Sequence, residues 1–234
     1  MANDNLPAKP SSARDVDAFL SRAAKVPTLA QAKGRLIFAI DATMSRQPTW
    51  NRATNIQSDM FAVAQDIGGL AVQLVYFRGP GELRASDWTA SPTVLANRMR
   101  DVTTRAGFTQ VCRVLDHAAA EAARAKVGAL VYVGDAFEES ADAASAEAAK
   151  LALLGVPAFM FHEGDDPKAA AVFRDIARLT KGVYARFDSG AAKQLRDLLM
   201  AAAIYATGGA VALREHAAKK GGEFLRIADR MGGK

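Results

Sequence analysis

The sequence has little of what builds disulfide-bonded, zinc-binding or membrane-spanning proteins. Its single cysteine, Cys112, excludes an intramolecular disulfide and a zinc cage made of cysteines. The three histidines have no cysteine, aspartate or histidine at a spacing typical of metal ligands. No run of about 18 apolar residues is present, so we expect no membrane span. The N-terminus has no basic segment followed by an apolar one, as a secretory signal would, and we therefore expect a cytoplasmic protein.

Two phosphate-binding motifs are also absent, Gly-x-Gly-x-x-Gly and Gly-Lys-Ser/Thr, which argues against a nucleotide-binding loop. The excess of positive charge is modest, with a net charge of +5 and a pI of about 9.4. Part of it lies near the C-terminus, in Arg214, Lys219, Lys220, Arg226, Arg230 and Lys234. We interpret this segment as a solvated basic tail and expect no nucleic-acid partner.

What the sequence does have is a strand–helix alternation with long apolar strands. The 50% hydrophobic and 24% charged residues are typical of a folded chain of one or two domains. The runs 35–40 and 129–133 are almost continuously apolar, which indicates strands buried on both faces of a parallel sheet. Further strands are predicted at 70–77, 82–88, 157–161 and 182–187, and helices at 52–67, 91–104, 110–126, 141–154, 167–180 and 189–205.

These elements predict an α/β, doubly wound fold with a mostly parallel six-stranded sheet and helices on both faces. The expected strand order is 3-2-1-4-5-6, with one antiparallel edge strand after the short turn at 79–81. Residues 33–205 form this domain, after a tail and short amphipathic helix within residues 1–32. Residues 206–234, after Gly208 and Gly209, are expected to be a basic helical extension outside the core of the sheet.

Two carboxylates stand where ligands bind in such a sheet, at the carboxyl ends of its strands. Asp41 ends the first strand and Asp135 follows the fourth. If these strands are neighbours, about 4.8 Å apart, both carboxylates face one small volume. Such a pair is unfavourable without a positive charge between its members, and a bound cation supplies that charge.

The residues around these carboxylates supply further oxygen donors. Thr43 and Ser45 alternate with Asp41 in one loop, and Thr109 precedes a predicted helix. Together with Asp135 they form a set of hard oxygen ligands, which suits Mg²⁺ or Mn²⁺. The same residues have ordinary structural interpretations, because a Thr before a helix is also a common N-cap.

At this set the sequence resembles the von Willebrand factor A (VWA) domain family, over roughly residues 33–205. Members of that family have a metal-ion-dependent adhesion site (MIDAS) formed by an Asp-x-Ser-x-Ser loop, a Thr and an Asp in three loops. Here Asp41, Ser45, Thr109 and Asp135 match those positions, whereas Thr43 replaces the usual Ser and Phe108 replaces the common Gly before the Thr. The resemblance implies an intracellular bacterial-type member with a near-complete site.

The donor set favours divalent-cation-dependent binding of a protein partner. Because three of the donors are neutral hydroxyls, a bound ion would stay electrophilic enough to take a Glu or Asp of a partner as its last ligand. The resemblance implies such a partner, for example in a ring-shaped ATPase or a multiprotein assembly. We therefore expect no enzyme activity.

The alternative is a metal-dependent phosphohydrolase or phosphotransferase that uses Asp41 or Asp135. Arg46 is the one nearby residue that could hold a phosphate. A further alternative is a structural module that binds no metal. Trp50 is interpreted as a packing residue, with a place on the rim of the binding face as the alternative, and Glu138 and Glu139 are expected to be solvated.

Overall fold

A computed structural model describes residue 29, residues 31–188 and residues 191–232. Its six strands form one sheet and are bounded as follows: β1 (Gly34–Asp41), β2 (Leu70–Arg78), β3 (Glu82–Ala85), β4 (Ala129–Gly134), β5 (Ala158–Glu163) and β6 (Val183–Phe187). The order is β3-β2-β1-β4-β5-β6, and only the β2–β3 pair is antiparallel among the described strands. The predicted fold class and strand order are confirmed. The short amphipathic helix predicted within residues 1–32 falls on residues 13–25, which lie outside the described residues, as does Ser189, the predicted start of the helix at 189–205.

The central strand β1 shows why these apolar runs do not alternate with polar residues. Leu36, Phe38 and Ile40 pack into a cluster on one face of the sheet. Ile37 and Ala39, which point the opposite way, pack into a second cluster on the other face. Because successive side chains of a strand point to opposite faces, a strand segment covered on both sides favours apolar residues at successive positions.

Helices cover both faces of the sheet. Their bounds are α1 (Gln47–Gln65), α2 (Pro92–Arg100), α3 (Val111–Arg124), α4 (Ala141–Leu153), α5 (Pro167–Leu179), α6 (Ala192–Lys220) and α7 (Glu223–Gly232), and a short 3-10 turn spans Met44–Arg46. The cluster on the first face contains side chains of α1, α2, α6 and α7. The cluster on the second face contains side chains of α3, α4 and α5.

Among the element boundaries that differ from the prediction are the end of β3 and the start of α1. Strand β3 ends at Ala85 rather than Trp88, and the chain then makes a single antiparallel bridge from Thr89 to Val72. The indole N–H of Trp88 instead donates to Glu121 on α3, at 2.8 Å. Helix α1 begins at Gln47, five residues earlier than predicted, and Pro48 lies in its first turn, where a proline is tolerated.

Helix α6 continues well beyond residue 205, where the sequence predicted that the helix would end. The chain bends at Gly209, whose positive φ of 69° is a conformation that glycine adopts without strain, and is helical again as far as Lys220. Leu213, Phe224 and Ile227 are buried in the same cluster as β1. The expectation that this segment lies outside the core is wrong for these side chains.

By length and apolar content, α6 would also qualify as a membrane-spanning helix, although no such span was expected from the sequence. Much of that apolar content is buried against the rest of the domain. Leu195, Leu198, Leu199 and Ile204 are fully buried in the cluster on the first face of the sheet. We therefore attribute the apolar character of α6 to its role as a core helix.

Removing a buried side chain beyond the Gly209 bend should destabilise the whole domain. We expect Leu213→Ala to lower the free energy of unfolding by about 2–4 kcal/mol, because the substitution removes apolar contacts and leaves a cavity. The matched control is Val211→Ala, two residues away and 60% exposed, which should change the free energy by less than about 0.5 kcal/mol. Urea denaturation measures both, and equal small effects would show that the segment is peripheral.

Candidate metal centre

The two predicted carboxylates lie side by side at the carboxyl-terminal edge of the sheet. Asp41 is the last residue of β1, and Asp135 follows the last residue of β4. The two strands pair in parallel, with Ile40 opposite Val133, so both chains leave the sheet at neighbouring points. The parallel arrangement thus places the two loops that contain the predicted ligands next to each other.

Hydrogen-bond distances connect four of the five predicted residues. The Thr43 amide donates to Oδ1 of Asp41 at 2.7 Å. Oγ1 of Thr43 lies 3.4 Å from Oγ of Ser45, and Ser45 Oγ donates to Oδ2 of Asp135 at 3.3 Å. Asp41, Thr43, Ser45 and Asp135 are therefore connected by a continuous series of hydrogen-bond contacts that joins the two loops.

The fifth predicted residue, Thr109, has a different partner. Its amide donates to Oε2 of Glu138 at 3.0 Å, and its hydroxyl accepts from the Glu138 amide at 2.9 Å. This pair of bonds ties the loop before α3 to the loop after β4. A hydroxyl that accepts one hydrogen bond keeps a second lone pair, so Thr109 is still chemically capable of binding a cation.

Asp41 is a buried carboxyl group with little to stabilise its charge. Its pKa is raised from the ordinary 3.8 to about 6, mainly by burial and in smaller part by the charge of Asp135, against the opposing effects of the hydrogen bonds from Thr43 and the charge of Arg46. The carboxyl group therefore lacks the solvation and positive charge that a carboxylate needs. A cation at this position would supply them.

A buried ion pair lies directly behind the site and was not anticipated from the sequence. The guanidinium of Arg46 is almost fully buried and forms a salt bridge with Glu163, the last residue of β5. Glu163 also accepts from the hydroxyl of Thr49 and lies 3.8 Å from Arg52. Nη1 of Arg46 is 3.6 Å from Oδ2 of Asp135, so the guanidinium also balances part of the negative charge of that carboxylate.

This arrangement changes the role that the sequence suggested for Arg46. Its side chain is 3% exposed and engaged with two carboxylates, so it is not available to hold a phosphate. The signal for Glu163 was present in the sequence, since it ends a buried strand as Asp41 does. It was overlooked because Glu163 has no oxygen-donor motif beside it.

Glu138 is exposed, as the sequence predicted, and Glu139 is half-buried, but both also have structural partners. The Glu139 carboxylate accepts from the amides of Val111 and Cys112, at 2.5 and 3.0 Å, at the start of α3. The first amides of a helix have no partner within the helix, and a carboxylate there also interacts favourably with the helix dipole. These glutamates therefore hold the start of α3 against the loop that contains Asp135.

Three further residues have structural roles, and for Trp50 this role agrees with the packing interpretation of the sequence. Trp50 is buried, and its indole N–H donates to the Met99 carbonyl at 2.8 Å, so it does not form the rim of the site. The ring nitrogens of His162 lie 3.0 Å from the Tyr184 hydroxyl and 3.2 Å from the Asp135 carbonyl oxygen. Burial raises the pKa of the Cys112 thiol to about 12, so this thiol stays protonated and unreactive.

The residues at this edge of the sheet fit a hard divalent cation by their chemistry. Over residues 31–188 and 191–232, no three His, Cys, Asp or Glu side chains converge on a point. The candidate site instead combines two carboxylates with two hydroxyls, all oxygen donors of the kind that Mg²⁺ and Mn²⁺ prefer. The incompletely balanced charge of Asp41 is the structural reason for expecting a cation there.

No protein-family model and no curated protein sequence matches this chain. Several solved structures, in contrast, are similar to this chain. The SpRpn10 VWA domain is 13% identical, with a TM-score of 0.54, over 75% of this chain and 96% of that one. Proximal thread matrix protein 1 from the mussel byssus, in a form with a zinc-occupied MIDAS motif, is 16% identical, with a TM-score of 0.56, over 83% of this chain and 53% of that one.

An aerotolerance-related membrane protein from Bacteroides fragilis is also similar, at 18% identity and a TM-score of 0.53, over 71% of this chain and 98% of that one. At such low identities the likeness concerns the fold alone. Together with the strand order, it shows that this chain has the α/β fold of VWA domains.

The buried Asp41 should make the metal-free protein less stable as the pH rises. Its pKa is about 6 in the folded protein but 3.8 ordinarily, so the folded state holds a proton that the unfolded state loses first. This contribution is fully present below the unfolded pKa and is lost as the pH rises through the folded one. With metal removed by EDTA, we expect the free energy of unfolding to fall by about 2–3 kcal/mol from this group as the pH rises from below the unfolded pKa to above the folded pKa.

Asp41→Asn is the comparison, because it keeps the shape of the side chain and removes its titration. Urea denaturation at about pH 4 and about pH 7 should show a larger loss of stability in the wild type than in the variant, since other groups titrate in both. The same pH dependence in the two proteins would contradict the assigned burial of this carboxylate.

Proposed function

We propose that this chain is a divalent-cation-dependent protein-binding module. The loops after β1 and β4 bind Mg²⁺ or Mn²⁺ through Asp41, Thr43, Ser45 and Asp135, with Thr109 as a further donor. The partner presents a Glu or Asp side chain at this edge of the sheet. Its carboxylate completes the coordination of the ion.

One observation carries this proposal, the series of hydrogen-bond contacts that connects Asp41, Thr43, Ser45 and Asp135. Each link is 3.4 Å or shorter, and the series joins two loops that are far apart in the sequence. The likeness to proximal thread matrix protein 1, which has a zinc-occupied MIDAS motif, supports a divalent ion here.

The charge at the site favours a carboxylate as the incoming ligand. A bound divalent ion would supply a Lewis acid whose charge only Asp41 and Asp135 offset. Arg46 lies 3.6 Å from Asp135 and takes up part of that carboxylate's charge, although Glu163 in turn pairs with Arg46. The chain's own residues therefore leave the site attractive to one more anionic oxygen from outside.

The partner belongs to an acidic protein surface, for which a ring-shaped ATPase or another multiprotein assembly is the first choice. The residues of the site contain no feature for reading bases or entering a membrane. Met44 separates Thr43 from Ser45 in the loop and is 66% exposed, which gives the same face an apolar element suited to protein contacts.

Metal binding is the first test. At a metal concentration 100 times the dissociation constant, Mg²⁺ or Mn²⁺ should stabilise the protein by about 2.7 kcal/mol, which raises the melting temperature by roughly 5–10 °C. Asp135→Asn should abolish this shift, while Thr43→Ser should retain it because the hydroxyl is kept. Thermal-shift titration measures all three proteins.

Asp165→Asn provides the matched control, since Asp165 is an exposed carboxylate after the neighbouring strand β5. It should leave the metal response unchanged. If Asp135→Asn responds to the metal as the wild type does, the site is misassigned.

Partner binding is the second test. A partner captured from an extract should be retained in Mg²⁺ and released by EDTA, and Asp135→Ala should weaken its binding about 30-fold or more.

The alternative function, metal-dependent phosphoester hydrolysis, makes a different prediction. The buried position of Arg46 removes the one arginine of the metal-binding loop that could hold a phosphate. We therefore expect no turnover of a generic phosphate ester such as p-nitrophenyl phosphate in Mg²⁺ or Mn²⁺. Metal-dependent hydrolysis that disappears in Asp41→Ala would favour the enzyme instead.

A further inference from the structure

Four arginines surround the turn between β2 and β3, next to the candidate metal site. Nε of Arg78 lies 3.0 Å from the Glu82 carboxylate, and the guanidinium nitrogens of Arg84 and Arg105 lie 3.3 and 3.7 Å from it. Arg113 donates to a carbonyl of the same turn at 2.7 Å. Glu82 is the one carboxylate that these arginines contact among the described residues, so this arginine cluster has a net charge of about +3.

Two members of the arginine cluster have most of their hydrogen-bonding capacity available. The side chains of Arg84 and Arg105 are 68% and 63% exposed, and each shares Glu82 with Arg78. A guanidinium has five N–H donors, so one shared carboxylate leaves several unused. Arg78 is held more firmly, because it also donates to the carbonyl and hydroxyl of Thr103.

The loop that contains Arg105 is fastened to the metal-binding loop. The Arg105 amide donates to the carbonyl of Ala42, the residue after Asp41, at 3.1 Å. Its carbonyl accepts from the Gly79 amide at 3.4 Å. Gly107 packs so closely that a Cβ atom there would lie 2.2 Å from the Gly79 carbonyl oxygen. The arginine cluster is therefore held at a set position relative to Asp41.

An exposed aromatic side chain lies in the same loop as Arg105, directly before Thr109. Phe108 precedes Thr109, whose pairing with Glu138 fixes this part of the loop. The Phe108 ring is 69% exposed, although phenylalanine usually lies inside a protein. Aromatic residues and arginine together are the composition that is enriched in protein interfaces.

We propose that the arginine cluster and Phe108 extend the metal site into a docking surface for an acidic protein segment that contains an apolar residue. This deepens the proposed function and rests on it. One carboxylate of the segment lies at the metal site, further carboxylates pair with Arg84 and Arg105, and the apolar side chain packs on Phe108. The positive charge of this surface, which one glutamate only partly offsets, is what selects an acidic segment.

The test uses a fluorescently labelled peptide of several glutamates around one leucine, and its counterpart with glutamine at each glutamate position. Fluorescence anisotropy measures the binding of both to the full chain in millimolar Mg²⁺. We expect the glutamate peptide to bind and the glutamine peptide not to bind. Binding of the glutamate peptide should be about tenfold weaker in the double variant Arg84→Gln/Arg105→Gln and several-fold weaker in Phe108→Ser.

The matched control is the double variant Arg178→Gln/Arg226→Gln. These two arginines are similarly exposed, and each pairs with one carboxylate on its own helix, so the net charge changes equally. This control should bind the peptide within twofold of the wild type. Equal affinity in the two double variants, or no binding to the wild type, would overturn the docking surface.

Three outcomes separate this inference from the proposed function. If EDTA and Asp135→Asn weaken the binding but the arginine variants do not, the docking surface is wrong and the metal-dependent module stands. If only the arginine variants weaken it, the surface stands and the metal-dependent function fails. If a single-stranded oligonucleotide binds this surface more tightly than the peptide does, the arginine cluster is a nucleic-acid contact and the inference is overturned.

Discussion

Most of the candidate site depends on the parallel pairing of β1 with β4. From Leu36 to Ile40 and from Ala129 to Val133 these strands are covered on both faces, and the carboxylates of the site follow where each strand leaves the core. Because parallel strands end at the same edge, Asp41 and Asp135 emerge beside each other. This brings two carboxylates together near an apolar core, an arrangement that is unfavourable without positive charge nearby.

Residues of the protein itself stabilise part of this negative charge. Arg46 reaches Asp135 and forms a buried pair with Glu163, while the Thr43 amide donates to Asp41. A buried ion pair contributes little to stability overall, but the loss of one member leaves an unbalanced charge in the core. Arg46 and Glu163 thus position the metal-binding loop against the ends of β4 and β5, and Asp41 keeps a raised pKa in spite of them.

The surroundings of the site consist of loops that hold one another. Glu138 and Glu139 join the loop after β4 to Thr109 and to the start of α3, and Arg105, in the same loop as Thr109, joins that loop to Ala42. Loops fixed in this way lose little conformational freedom on binding, which favours affinity. Exposed residues such as Phe108 and Arg84 are thereby presented on a largely preformed surface, and the metal-binding loop forms one part of it.

The sequence by itself determined the sheet and its order, because buried strands and amphipathic helices have periodicities that can be read directly. It also determined the residues at the strand ends, Asp41 and Asp135, since a carboxylate after an apolar run marks the edge of a core. The pairings of Thr109 with Glu138 and of Arg46 with Glu163, and the burial of Leu213 beyond Gly209, join residues from 29 to well over 100 positions apart. Only the tertiary structure decided them, because the partner of a polar or apolar side chain depends on which distant segment packs against it, and no local periodicity records that choice.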